Sequence, residues 1–552
     1  MPSNREISKL FSLYAELLLL HQKDEGLAAL LSGASYRLRN LNEQIVELYT
    51  HELSKLFRPE IISIIRQLKV TSTIEPLDEL IQLTPQGLFE MMRIKGLGGK
   101  KLSVLWKTAG IDSIDALLQA CKNDTISKIA GFGAKTQKNI ITAIEAYRSN
   151  EKRFHYASVA DIANRLVQAL QKIFKTKYIS LCGEIRRQAT TVSCIEIVTI
   201  IQSKDFKHDT VRKFLITQSL DKKKTKAHSL EEIPVVVYHT TKERFYHELF
   251  IRTGNKNHIK KVLKKLKSDK TFNPEEVIYK EAGLQFILPE MREDVAEWTF
   301  KANNDKLITT EDIRGVVHNH TTWSDGIDSL KDFVKACRDR HFEYVVISDH
   351  SKNAHYAGGL KEERVLKQME EIDKLNKRLY PFKIFKSIEC DILVSGELDY
   401  GNDFLQLFDL VIISIHQLLK MSEERATKRL IKAIENPYTT ILGHMTGRQL
   451  LIRSGYPVDF KKVIDACAAN NVIIEINANP YRLDMDWSHI PYALSKGVMI
   501  SINPDAHSIG EINNIRWGVS AARKGGLTKE MTWNAMPLKK IEQWLRNKNN
   551  AG

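Results

Sequence analysis

Cysteine is scarce and scattered. The six thiols, Cys121, Cys182, Cys194, Cys337, Cys390 and Cys467, form no CxxC pair. Neither a disulfide framework nor a thiolate zinc site is expected, and a reducing, cytoplasmic setting is the simple inference. Long apolar runs are missing too. The longest aliphatic stretch, in YAELLLLH (14–21), is far too short to cross a bilayer. The first residues, MPSNREISKL, lack the apolar core of a signal peptide. No membrane partner is expected. What is present is a 552-residue chain, 43% hydrophobic and 27% charged, long enough for several domains.

Acidic residues are under-represented in the first half. Residues 1–300 carry 47 Lys+Arg against 35 Asp+Glu, a balance of +12, whereas 301–552 carry 35 against 32, a balance of +3. A basic front half suggests a polyanionic partner, with nucleic acid first in line.

Residues 1–75 show apolar residues at helical spacing, through FSLYAELLLL and LNEQIVELYTHELSKLF. A compact helical region is expected for 76–150. Residues 151–290 mix short β-rich runs (KYISLCG, IEIVTII, IPVVVYH) with helices, and the polar 291–311 is the best linker candidate. From 312 to 552, strand-like runs alternate with amphipathic helices, which predicts an α/β barrel of mostly parallel strands. Nearly every run ends in a metal-capable side chain, where barrel enzymes build their sites.

Two stretches repeat one idea. MMRIKGLGGKKLSVLW and ISKIAGFGAKTQKNIITAI place Gly96-Leu97-Gly98 and Gly131-Phe132-Gly133 at a 35-residue offset (96 to 131). The glycines permit a tight turn, the following helix start offers free N–H groups to an anion, and Lys100, Lys101, Lys135 and Lys138 add charge. These resemble helix-hairpin-helix motifs, with sequence-independent DNA binding as the expected role. The plainer alternative is a pair of glycine helix caps.

GEIRRQATTVSCIEIVTI (183–200) has the layout of a nucleotidyltransferase core: a glycine turn, two arginines, then a strand with paired positions two apart. It resembles the palm of X-family DNA polymerases, and the resemblance spans about 1–300. In that family a Gly-Ser with arginines holds the triphosphate and three aspartates bind two metals. Gly183, Arg186 and Arg187 match, but Glu184 replaces the serine, and the first two aspartates are Cys194 and Glu196. Spacing back from RTGNKNH, where Asn255 replaces another serine, puts the third aspartate near Val236 in the apolar IPVVVYH. Two-metal transfer needs several hard oxygen ligands. The resemblance therefore implies a degenerate palm that holds DNA without extending it. RPEIISIIRQL also lacks the glycine hairpin of the family's lyase-type domain, so a lyase role is not expected.

The chemistry is expected after 312. VVHNHTTWSDG carries His318, His320 and Asp325; VVISDHS carries His350; SIECDI carries Glu389; IISIHQ carries His416; ILGHMTGR carries His444; INPDAHS carries Asp505 and His507. An HxH on a strand turns both rings to one face. Mixed imidazole and carboxylate donors suit Zn²⁺, Mn²⁺ or Fe²⁺, and nine of them imply more than one ion. The set resembles the polymerase and histidinol phosphatase (PHP) domain, matching all nine of its ligand positions. The resemblance implies a distorted (β/α)7 barrel, a trinuclear centre and metal-assisted phosphodiester hydrolysis. Arg448 and Arg482 follow strand ends, as phosphate clamps or as structural salt bridges. Asp349 and Asp391 stand next to ligands, as orienting partners of imidazoles or as solvated groups.

The resulting expectation is a DNA-directed 3′–5′ exonuclease in DNA repair. Two alternatives stand beside it: a DNA-recognition protein with a weak or structural metal centre, and a phosphatase of small esters.

Overall fold

The computed structural model describes residues 4–39, 41, 44–71, 73–94, 96–266 and 272–551. They form two compact units, Met1–Lys152 and Arg153–Gly552.

The first unit is helical. Its core joins Ile7, Phe11, Leu17 and Leu20 of the helix Asn4–Leu20 to Leu102 and Leu105 of the helix Gly99–Ala109. Gly99 is required there, because a Cβ would stand 2.3 Å from the Glu16 carbonyl oxygen. The second glycine turn leads into the helix Ala134–Asn150. Gly96 and Gly131 take φ of +90° and +86°, open to glycine at no steric cost.

The second unit begins with a two-stranded ribbon, β1 (Phe154–His155) against β3 (Thr191–Val192). Beside it lies a five-stranded sheet of β2 (Ile179–Cys182), β4 (Ile195–Thr199), β5 (Leu215–Leu220), β6 (Lys224–Ser229) and β7 (Pro234–His239), ordered β2-β4-β7-β6-β5. Only β4 and β7 run parallel, and they place Glu196 beside Val236.

Seven parallel strands follow: β8 (Gly315–Val316), β9 (Tyr344–Ile347), β10 (Lys383–Asp391), β11 (Leu410–Ser414), β12 (Thr439–Leu442), β13 (Ile473–Asn477) and β14 (Ile500–Asn503), hydrogen-bonded in chain order. Alternation divides their side chains. Val345 and Ile347 join one core with helix residues such as Phe333, while Tyr344, Val346, Leu410 and Ile412 fill the interior with Trp533, Ile541 and Leu545. The first and last strands are not paired directly among the described residues, but they are joined at two places. Asn319 bridges to Ala506 at the C-terminal end, and buried Asn534 donates to the Gly315 and Ile502 carbonyls nearer the start. This is the (β/α)7 barrel expected for 312–552.

The segment expected as a linker, 291–311, is packed. Met291, Ala296, Leu307 and Ile308 are buried. Two of its charged residues are paired with the preceding subdomain: Arg292 with Glu275, and Glu297 with His258 Nδ1 at 3.0 Å. Its polarity has two sources, buried pairs such as Arg292 with Glu275 and exposed charges such as Lys301, Asp305 and Lys306. No helix among the described residues is long and apolar enough to cross a membrane.

Candidate metal centre

The predicted donors lie near or beyond the C-terminal ends of barrel strands, Glu389 within β10 and Asp325 in the loop that follows β8. The HxH departs from expectation. β8 stops at Val316, and His318 takes φ of +64° rather than an extended conformation. Asp505 does the same at +50°. Both residues flank the closing contact, where His320 N donates to Ala506 O at 2.9 Å. The barrel is sealed by its own ligand-bearing segments, which explains how unusual backbone angles persist there.

Glu389 is the hub, 99% buried. Its Oε1 lies 3.0 Å from His444 Nε2 and 3.2 Å from both His318 Nε2 and His416 Nε2. Its Oε2 lies 2.9 Å from His350 Nδ1 and 3.7 Å from His320 Nε2. Asp325 Oδ1 stands 3.5 Å from His507 Nε2 and 3.6 Å from His350 Nε2. Asp505 Oδ1 stands 3.3 Å from His320 Nε2 and 3.7 Å from His318 Nε2. Three groups of donors are close enough to hold an ion: His320, Asp325, His350 and His507; His318, His320 and Asp505; His350, Glu389 and His416. His444 joins the cluster through Glu389, with its ring beside those of His318 and His416. Asp325 and His507 form the accessible rim, each about a third exposed.

The donors fit metal ions on the evidence of their own partners. His318 Nε2, both nitrogens of His320, His350 Nδ1 and Glu389 Oε1 are buried without a hydrogen-bond partner. An unmet buried polar atom costs about 1–3 kcal/mol, so five clustered atoms call for ligands. The charges agree. Burial disfavours ionised Glu389 and Asp505, yet neighbouring imidazoles hold both carboxyls well below the usual range. Asp325 is held down at about 2, by His507, His320 and His350 against the effect of burial. Burial, with His507 and His350 nearby, pushes His320 down to about 3, leaving a neutral imidazole.

The supporting residues include some that the sequence did not single out. Glu475 accepts from His318 Nδ1 at 2.6 Å, from His444 N at 3.0 Å and from the Asn477 and Asn503 amides. Its only signal was a glutamate inside the apolar run NVIIEINAN. Asp391 accepts from His416 Nδ1, as an orienting partner should. Asp349 touches no imidazole. It accepts from Thr321 N and Oγ1, Ser324 N and Oγ, and Gln368 Nε2, pinning the turn before Asp325.

The two arginines separate. Arg448 is not free to clamp phosphate: it donates to the Arg482 and Leu483 carbonyls and pairs with Asp486. Arg482 faces the centre, with Nε 3.7 Å from Asp505 Oδ2.

The palm segment has spent its groups elsewhere. Arg186 pairs in two-pronged fashion with buried Glu275, and Arg187 with Glu293 at 3.1 Å. Glu184 accepts from Arg153, Ser193 N and Ser193 Oγ. Glu196 accepts from Tyr238 and lies so close over Gly183 (φ +63°) that a Cβ would meet it at 1.6 Å. Cys194 is a thiol pushed up to about 11, first by burial and then by Glu196. Among the three positions corresponding to the family's aspartates, Glu196 is the single carboxylate.

The two hairpins also differ. In the first, Glu16 accepts from Gly99 N at the helix start, Lys100 pairs with Glu25 at 2.7 Å, and Lys101 donates to Gly96 O. In the second, Gly131 and Gly133 face open space, and Lys135 and Lys138 are exposed.

A seven-stranded barrel with a histidine–carboxylate centre, following a nucleotidyltransferase-like sheet and paired hairpins, defines the class of X-family polymerase and PHP fusions. Comparison with known proteins agrees. Residues 89–146 match the family described as "SAM-like Helix-hairpin-helix tandem". The DNA polymerase/3′-5′ exonuclease PolX of Bacillus subtilis (strain 168) is 32% identical over 502 residues, covering 86% of this chain and 87% of that protein. The chain belongs to the PolX family. A probable phosphatase of Thermoanaerobacter sp. (strain X514) is 29% identical over 32% of this chain and 72% of its own length. A probable phosphatase of Caldanaerobacter subterraneus is 30% identical over 30% of this chain and 66% of its own.

Proposed function

We propose that the chain is a metal-dependent phosphodiesterase that removes nucleotides from DNA 3′ ends, serving cytoplasmic DNA repair, and that its palm no longer extends primers. One observation carries this reading: six imidazoles converge on Glu389 and Asp505 beside an arginine, with Asp325 at the rim, while of the palm positions Cys194, Glu196 and Val236 one is a carboxylate. The working parts are 1–75, 76–150, 151–290 and 312–552.

His318, His320, Asp325, His350, Glu389, His416, His444, Asp505 and His507 would hold three divalent ions, Mn²⁺ or Zn²⁺ with Fe²⁺ as a further candidate. Such ions supply Lewis acidity and offset charge at a phosphodiester. The chain's own residues do the rest. Glu475 and Asp391 fix imidazole tautomers, so that the opposite nitrogens face Glu389. Arg482 holds a nonbridging phosphate oxygen. Asp325 and His507 line the entrance by which a terminal nucleotide arrives. Hydrolysis adds water across the P–O3′ bond, so the shortened strand leaves with a 3′-hydroxyl and the nucleotide with a phosphate. The second hairpin, through Gly131, Gly133, Lys135 and Lys138, holds the DNA backbone more freely than Gly96, Gly98, Lys100 and Lys101 can.

A second reading, hydrolysis of small phosphate esters, is favoured by the probable phosphatases among the relatives. One experiment separates the two. Labelled primer–template is incubated with Mn²⁺, with and without nucleotides, beside a His318→Ala/His320→Ala variant. Shortening that the variant lacks supports the nuclease. Primer extension sinks the degenerate-palm reading. Unchanged DNA with turnover of small esters favours the phosphatase.

A further inference from the structure

Two loops carry Arg482 to the metal centre, and they clasp each other. Arg448 donates to the Arg482 and Leu483 carbonyls, and Leu450 N donates to Tyr481 O at 2.7 Å. The 449–453 turn is closed by Gln449 N to Arg453 O and the reverse bond, and Arg453 Nε returns to Gly447 O at 3.0 Å. Arg482 emerges from this pair toward Asp505.

The opposite side of the clasp meets the palm. His155 Nε2 donates to Leu450 O at 3.0 Å, across 295 residues of chain. Its ring packs edge-on against Tyr481, with centroids 4.8 Å apart at 76°. One residue therefore touches both loops. His155 is itself held through β1, paired with Thr191 of β3. Arg153 locks that pair from its Nε to Thr191 Oγ1 and from Nη2 to Thr191 O, and it also bridges to Glu184. Glu184 is the residue that replaces the family's triphosphate-binding serine. The substitution that opposes a phosphate thus strengthens the strand pair that bears His155.

We propose that the polymerase-like palm is a brace for the nuclease centre, with His155 as the residue that positions Arg482. This rests on the reading of Arg482 as a phosphate-holding side chain. His155 reaches no ligand; it acts through Leu450 and Tyr481 on the loop that presents the arginine. The brace gives a physical reason for retaining a palm that keeps one carboxylate, Glu196, among Cys194, Glu196 and Val236.

The test uses the full chain as His155→Ala, His155→Gln, Arg482→Ala and the His155→Ala/Arg482→Ala double variant. The glutamine amide keeps a donor for Leu450 O. Hydrogen exchange is followed with and without Mn²⁺, together with bound-metal content and hydrolysis of bis(4-nitrophenyl) phosphate. His155→Ala should speed exchange in 449–453 and 479–484 about tenfold, with the barrel strands unchanged. It should raise KM about tenfold at unchanged metal content, His155→Gln should recover most of that, and the double variant should be no worse than Arg482→Ala. Unchanged exchange in those loops overturns the proposal, as does faster exchange throughout the barrel. So do KM effects that multiply in the double variant. A wild-type protein that binds Mn²⁺ yet hydrolyses no diester defeats the phosphodiesterase reading instead, and the exchange data still judge the brace.

Discussion

His318 Nδ1 donates to Glu475 Oε2 at 2.6 Å, between residues 157 apart in the chain and both fully buried. The bond fixes which imidazole nitrogen carries the proton and turns Nε2 toward Glu389 and Asp505. Burial opposes a charge on this ring, but Glu475, Glu389 and Asp505 together raise its pKa well above the ordinary value. Without an ion this ring holds protons on both nitrogens, and an ion at Nε2 would take the place of the proton there.

Glu475→Gln should weaken metal binding by about 10–100-fold, as loss of an orienting carboxylate does elsewhere. Equilibrium dialysis with Mn²⁺ measures it. An unaltered affinity would show that His318 needs no such partner.

Metal should stabilise the barrel. At about 100 times its dissociation constant, a ligand that binds only the folded state contributes about 2.7 kcal/mol. The melting temperature should rise with Mn²⁺, fall back with a chelator, and stay flat for His318→Ala/His320→Ala. An equal rise in that variant would place the ion elsewhere.

The hairpins should contribute unequally to DNA binding. Glu16 already occupies the helix start at Gly99. Lys135→Ala and Lys138→Ala should each reduce the salt dependence of log K by about one phosphate contact. Lys100→Ala and Lys101→Ala should do less. Glu16→Ala should cost about 1 kcal/mol of stability in the first unit while leaving DNA affinity intact or increased. Fluorescence anisotropy over a salt series decides it, and the opposite ranking of the lysine pairs refutes it.

Glu275 should make the second unit acid-sensitive. Burial would raise its pKa, but Arg292 and Arg186 outweigh burial and hold it below 4.5. With the folded pKa depressed, the stabilisation is present above the unfolded value and is lost as pH falls through the folded one. Glu275→Gln should cost about 3–5 kcal/mol near pH 7, from two arginines left short of a buried partner. The gap from wild type should shrink below pH 4.5. Urea unfolding at both pH values tests this; a gap independent of pH would rule it out.

Much of the centre was legible because its chemistry sits at the ends of short apolar runs. Most of the nine donors fall at or after the end of a strand-like segment, and strand order then gathers them at one barrel mouth. The palm's departures from the pattern it resembles were equally local, since Cys194, Glu196 and Val236 are single positions read by residue type. Glu475 escaped notice because a carboxylate inside an apolar strand gives no sign of which face it takes. Arg448 resembled a clamp because its position after a strand end was visible and its three partners were not. The 291–311 segment passed for a linker because buried ion pairs and solvated charge have the same composition.

Sequence alone determined the donor types, the glycine turns, the alternation of strands with helices and the residue types at Cys194, Glu196 and Val236. These are properties of single residues and short windows. Tertiary structure decided which residues meet: Glu16 on Gly99, Glu475 on His318, His155 on Leu450, and the two left-handed residues His318 and Asp505 at the barrel's seam. The physical reason is chain closure. A hydrogen bond across 83, 157 or 295 residues forms only after the intervening chain has packed, and nothing in the local pattern at either end specifies the partner.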